Sequence, residues 1–113
     1  MEVKLSNEQK SWIVTLKGDI AGIDVVRLGR TVDRLRHHKE CRRLYIDLNE
    51  VTYIDSVGLG GLLYAHTVFQ RVGKETILVG PTKRIHDLFR DCHLDGIFQI
   101  VDSIGDDTPI AEA

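Results

Sequence analysis

The sequence predicts an α/β fold: a single mixed β-sheet of four to five strands with helices packed on it. Three observations predict it. Stretches with apolar residues at every second position take turns with stretches where they recur every three or four. The links between these stretches are short, as in a layer built from parallel crossovers. The first two strand-like runs have no helix between them, which makes them an antiparallel pair.

A short strand is predicted near Val3–Leu5. In "WIVTLK" (12–17), Trp12, Val14 and Leu16 share one face and Ile13, Thr15 and Lys17 the other, the pattern of a second strand that Gly18 ends. From Asp24 the period changes. Val25, Leu28, Val32 and Leu35 fall at helical spacing, with Arg27, Arg30, Asp33 and Arg34 outside and Asp24 as N-cap. This helix fades through His37, His38 and Lys39. "RLYIDL" (43–48) is the next strand, with Leu44, Ile46 and Leu48 inward, and "NEVTYI" is a loop after it. A helix follows from about Val57 to Arg71, stopped by Gly73. "ETILVG" (75–80) has two apolar faces and reads as a central, covered strand. Pro81 stands near the start of a helix that carries Ile85, Leu88, Phe89 and Cys92 on one face. "IFQIV" (97–101) closes the pattern. Residues 104–113 read as a frayed tail or a short helix, so 1–113 is expected to be one domain.

Composition narrows the function classes. In 113 residues, 42% are apolar and 28% charged, with a net charge of −2. Such a chain should remove roughly two-thirds of its unfolded surface from water, enough for a real core. The charge balance argues against direct nucleic-acid binding, which needs a basic excess or stripe. No apolar run approaches the ~20 residues of a membrane span. The start, "MEVKLSNEQK", lacks a signal peptide's apolar segment, so a cytoplasmic location without membrane insertion is expected. Cys41 falls in a polar connection and Cys92 on the face a helix would bury. Neither has metal-ligand spacing, and both are expected as free thiols without chemistry. No metal site and no cofactor is expected.

The sharpest local signal is "YIDSVGLGGLLYAH" (53–66), where an Asp-Ser pair meets a helix that begins with three glycines. Each glycine costs about 1 kcal/mol against alanine in a helix interior. Ser56 is placed to cap the helix with its hydroxyl. A cap needs no glycine after it. Gly58, Gly60 and Gly61 are therefore expected to leave a surface without side chains, over which another protein can reach the serine. Close packing of the helix on the sheet is the alternative for some of them. Leu59 is read as a core anchor before an exposed contact.

Enzyme signatures fail here. Leu63 stands where a dinucleotide fingerprint needs its third glycine, and no Gly-Lys-Ser/Thr follows for a phosphate loop. Ile54 replaces the first glycine of a nucleophile elbow. His66, His86 and His93 show no pairing with a serine, and His37-His38 is a solvated helix end. The chain is not expected to be an enzyme. A serine-dependent enzyme is the contrasting class, which covalent labelling of Ser56 would expose.

"VTYIDSVGLGGLLYAH" resembles the central motif of the STAS family, the anti-sigma factor antagonists, in which Asp-Ser-(Ser/Thr)-Gly-Leu-Gly follows the third strand and opens a helix. "TLKGDI" looks like the family's Gly-Glu-Ile-Asp turn, and "LVGPTKRIHDLFRDCHLDGIF" like its last helix and strand. The resemblance covers nearly the whole chain and implies a STAS-like fold. It also implies that Ser56 is phosphorylated by a cognate anti-sigma factor that is itself a serine kinase. The unmodified protein would bind that kinase and free a sigma factor, and a metal-dependent serine phosphatase would restore it. Asp55, Ser56, Val57, Gly58, Leu59, Gly60 and Gly61 would form the docking surface. Two positions depart from the family pattern. Val57 stands where a second Ser or Thr is usual. Ala21 stands where relatives commonly carry an Asp that assists phosphorylation, a role left to Asp19 or Asp24. These departures favour the alternative, a non-phosphorylated STAS-like scaffold or accessory subunit of a stress or transport complex. A homodimer is left open.

Overall fold

The structure, a computed structural model, describes residues 1–8 and 11–105. Five strands form one mixed sheet in the order β1-β2-β3-β4-β5. β1 (Glu2–Glu8) runs antiparallel to β2 (Ser11–Ile20). β3 (Arg43–Ile54), β4 (Glu75–Val79) and β5 (Gln99–Val101) follow in parallel. The crossovers carry α1 (Val25–Arg36), α2 (Ser56–Arg71) and α3 (Lys83–Asp91). Each crossover steps one strand in the same direction, so right-handed connections put all three helices on one face.

The core follows from that arrangement. Val14, Leu16, Leu44, Ile46, Leu48 and Leu78 point from the sheet into the helical layer, where Leu28, Val32, Leu35, Leu62, Phe69, Ile85 and Phe89 meet them. Phe98 closes this core edge-on against Phe89, their ring centroids 5.3 Å apart. Tyr45, Ile77 and Val79 form a smaller buried cluster that half-buried Ile13 and Val101 join, as the alternation of β3 and β4 requires. Arg43 lies in the same row, buried, with Nε 2.8 Å from the Glu75 carboxylate and Nη1 3.3 Å from the Tyr45 hydroxyl.

Several boundaries differ from the sequence reading. β3 continues through the stretch read as a loop, because its last residues still pair with β2 at Glu50, Val51, Tyr53 and Ile54. Two register shifts in the β2–β3 pair, each with its extra residue in β3 and one beside Gly18 at φ 86°, let the pair bend and stay joined. β4 pairs with β3 only as far as Asp47, so β3 overhangs it. A 3-10 turn over Gly22–Asp24 leads into α1, and the Asp24 side chain makes no cap bond there. It meets the Met1 amino group at 3.3 Å instead. Thr82, one residue after Pro81, caps α3 by accepting from the Ile85 N–H at 3.3 Å. The two thiols exchange the roles expected of them: Cys41 is buried and Cys92 exposed. The tail expected over 104–113 lies, from residue 106 on, outside the described residues. Among the described residues, no helix is long and apolar enough to cross a membrane.

Two helices end in the same motif. After α2, Gly73 N–H donates to Gln70 O at 3.1 Å and Lys74 N–H to Phe69 O at 2.9 Å. After α3, His93 N–H donates to Arg90 O at 3.0 Å and Leu94 N–H to Phe89 O at 2.8 Å. Gly73 has φ 73° and His93 φ 59°. Only the glycine takes that conformation freely; a side chain pays about 1–2 kcal/mol for it.

Replacing His93 with glycine should therefore stabilise the fold by about 0.5–1 kcal/mol, the relief less the entropy glycine adds to the unfolded chain. The urea midpoint should rise at an unchanged m-value. The thiols give a second expectation. Burial pushes the Cys41 thiol up to about 11, so at neutral pH iodoacetamide should modify Cys92 and spare Cys41 until the protein unfolds. Peptide mapping reads both.

Candidate functional site

β3 delivers Asp55 and Ser56 to the carboxyl end of the sheet, between the β2–α1 turn and the start of α3. Asp55 organises this end. Its N–H donates to Ile20 O at 3.2 Å, which holds the end of β3 against the end of β2. Its Oδ1 accepts the Gly58 N–H at 2.7 Å, and its Oδ2 accepts the Gly22 N–H at 3.2 Å. One carboxylate thus caps α2 and clamps the β2–α1 turn onto it. The cap is Asp55, one residue before the serine expected in that role.

Ser56 is then the first residue of α2, exposed to solvent. No hydrogen bond of its hydroxyl is found among the described residues. Val57 beside it is 52% exposed. Leu59 turns inward, half-buried against the core.

The glycines divide. A Cβ on Gly58 would lie 2.1 Å from Ile20 O and 2.9 Å from Ile54 Cγ2. One on Gly61 would lie 2.6 Å from Val25 Cγ1, on the first turn of α1. These two glycines let α2 press against the sheet end and against α1. Gly60 alone of the three faces open space. Access for a partner therefore does not account for the run as a whole, as the sequence reading expected; close packing accounts for two of its members.

The candidate acids of the turn are both engaged. Asp19 accepts from Thr52 Oγ1 at 3.1 Å across the β2–β3 bend, and Asp24 holds the Met1 amino group. Ala21 lies in extended backbone just before Gly22. One residue of this end escaped the sequence reading altogether. Ile23 is 85% exposed at the tip of the clamped turn, and Val26 half-exposed one turn on. The available signal was its offset from the α1 stripe of Val25, Leu28 and Val32. Along the outer face of α2, the Tyr64 hydroxyl donates to Asp33 of α1. His66 packs edge-on to Phe98 rather than toward the serine. Among the described residues, no group of three or more His, Cys, Asp or Glu side chains could hold a metal.

A family model described as the STAS domain matches residues 3–106. Similar solved structures include an anti-sigma factor antagonist from Mycobacterium paratuberculosis, 21% identical, covering 93% of this chain and 88% of that one, with a TM-score of 0.75. A Thermotoga maritima protein described as a proposed anti-sigma factor antagonist is 19% identical over 90% of this chain and 87% of its own, with a TM-score of 0.83. The Bacillus cell fate determinant SpoIIAA in its phosphorylated form is 16% identical over 89% and 92%, with a TM-score of 0.71. At these identities the likeness is one of fold.

The glycine division predicts three different outcomes for alanine. Gly58→Ala should destabilise by about 3 kcal/mol, because a backbone carbonyl cannot yield. Gly61→Ala should cost less, since Val25 can shift. Gly60→Ala should stabilise by about 0.5–1 kcal/mol, the helix-propensity gain alone. Urea unfolding of the three variants reads the order directly.

Proposed function

Because the chain belongs to the STAS domain family, we propose that it is an anti-sigma factor antagonist, a regulatory binding protein and not an enzyme. Unmodified, it binds an anti-sigma factor that is also a serine kinase; phosphorylation of Ser56 ends that binding, and a serine phosphatase restores it. The observation that carries this reading is the state of Ser56. It sits exposed on the first turn of α2, its hydroxyl without a hydrogen bond among the described residues, while Asp55 does the capping.

The physical consequence is direct. Phosphate would add a charge of about −1.5 to −2 at neutral pH beside the Asp55 carboxylate. In the free protein, water and the positive end of the helix dipole accommodate that charge. Under a partner they cannot, because the dianion would be desolvated next to a like charge. A hundredfold loss of affinity needs only about 2.8 kcal/mol. Val57, Gly60 and the neighbouring turn would be covered by the docked kinase; Gly58, Leu59 and Gly61 would support that surface from beneath.

A second reading rests on a different observation. Asp19 accepts from Thr52 with one oxygen, Asp24 holds the Met1 amino group and Ala21 offers no carboxylate, so among the described residues the turn holds no acid without a partner to assist phosphoryl transfer. A STAS scaffold that binds its partner without modification would need none.

The two readings part in one experiment. The protein is incubated with ATP and each candidate serine kinase of the same genome, and intact mass is recorded. A gain of one phosphate that disappears in Ser56→Ala supports the switch. Unchanged mass with persistent binding supports the scaffold and overturns the switch.

A further inference from the structure

We propose that the helix-free face of the sheet is a docking surface for this chain's own residues 106–113, which lie outside the described residues, with Pro109 and Ile110 covering its apolar centre. The face is built by alternation. Leu44, Ile46 and Leu78 point to the helices, so Arg43 and Tyr45 of β3 and Ile77 and Val79 of β4 point the other way. All three helices lie across the sheet from them. Yet none of the four is more than 5% exposed.

Neighbours within the sheet do not explain that burial. Strand side chains stand roughly perpendicular to the sheet. Tyr45 is flanked by Ile13 and Ile77, and Val79 by Val101, so their sides are shielded and their tips are not. Among the described residues, Ile13 and Val101 are the further apolar side chains packed on this cluster, and both belong to the sheet. Burying the tips takes a second layer, which stands about 10 Å above a sheet face. Polar groups agree. The Arg43 guanidinium is held by Glu75 and donates to the Tyr45 hydroxyl, which keeps its own proton to give. Both residues make a further interaction beyond these, as do Ser103 and Gly105 past the end of β5.

Chain length selects the occupant. The chain leaves β5 at Val101, on this face, and the described residues run on to Gly105. Then comes "DDTPIAEA". At about 3.3 Å per residue, Ile110 can lie roughly 16 Å from Gly105, while β3 is two strand spacings, about 10 Å, from β5. Residues 9 and 10, also outside the described set, join β1 to β2 and span only about 7 Å, too little to cross to Val79 on β4. Pro109 and Ile110 are the large apolar residues of 106–113; Asp106, Asp107 and Glu112 are its carboxylates, with no cation among them. Such a segment brings apolar cover for Tyr45, Ile77 and Val79 and acceptors for the donors of Arg43 and Tyr45. Net charge plays no part, because Glu2, Asp47 and Glu75 balance Lys4, Lys17 and Arg43 on this face. The family match stops at residue 106, so the strap lies outside the matched domain.

Methyl NOE spectra of the full, unaltered chain test the docking. Cross-peaks are expected from the Ile110 methyls to the Tyr45 ring and to an Ile77 methyl, at any protein concentration. Ile110→Asp should abolish them, lower the urea midpoint and raise binding of the dye ANS, a reporter of exposed apolar surface, at least roughly threefold. Random-coil shifts for Ile110 without cross-peaks overturn the proposal. So does an Ile110→Asp variant that matches the parent in midpoint and dye binding. Cross-peaks found only between labelled and unlabelled copies in a mixed sample assign the segment to a second copy and overturn docking within one chain. The spectra of the unaltered chain decide the matter even if the variant fails to fold. No outcome turns on phosphorylation of Ser56.

Discussion

The carboxyl end of the sheet depends on one side chain. Asp55 takes a hydrogen bond from Gly58 with one oxygen and from Gly22 with the other, while its own N–H donates to Ile20 O. Three chain segments therefore converge within a residue or two: the exit of β2, the exit of β3 and the entry of α2. Convergence at this range leaves no room for side chains. That is why a Cβ on Gly58 would run into the Ile20 carbonyl. The same contact fixes where α1 begins, since the 3-10 turn hangs from the Gly22 N–H. Apolar packing holds the layers together, but this polar knot sets how the first two helices enter.

Much of the fold was legible because periodicity reports burial. Leu28, Val32 and Leu35, or Leu44, Ile46 and Leu48, are spaced by the geometry of a helix or a strand, and all are buried. The parallel crossovers and the antiparallel start followed from the alternation of elements and the short links between them. Signals that depend on a neighbour distant in sequence were not legible. "NEVTYI" reads as a loop on composition, yet it is strand because β2 runs alongside it. Cys41 looks polar by its neighbours and is buried because α1 and β3 close over the connection between them. His93 breaks the rule that Gly73 obeys at an identical helix end, so only the glycine could be read as a stop.

At the site, the residue types were legible and their division of labour was not. Asp-Ser before a helix offers two caps, and sequence spacing does not choose between them. The choice comes from Gly22, thirty-three positions upstream of Asp55, whose N–H needs an acceptor that only a carboxylate with two oxygens can also offer to Gly58. The glycine run misled for a related reason. Its cost in helix propensity is visible locally, whereas the atoms it makes room for belong to Ile20 and Val25.

The one-residue shift of the cap changes what the serine can do. An N-cap serine spends its hydroxyl on an N–H of the first turn and is a structural group. With Asp55 in that position, Ser56 moves to the first helical residue and keeps its oxygen for others. The carboxylate also already occupies the positive end of the helix dipole, worth only about half an elementary charge. A second anion next door would share that field with Asp55, and water would carry the larger part of its support. Were Ser56 to carry such an anion, any surface that excludes water from it would have to supply cations or leave. No rearrangement of the fold is required for this, because the sensitivity is built into where Asp55 puts its charge.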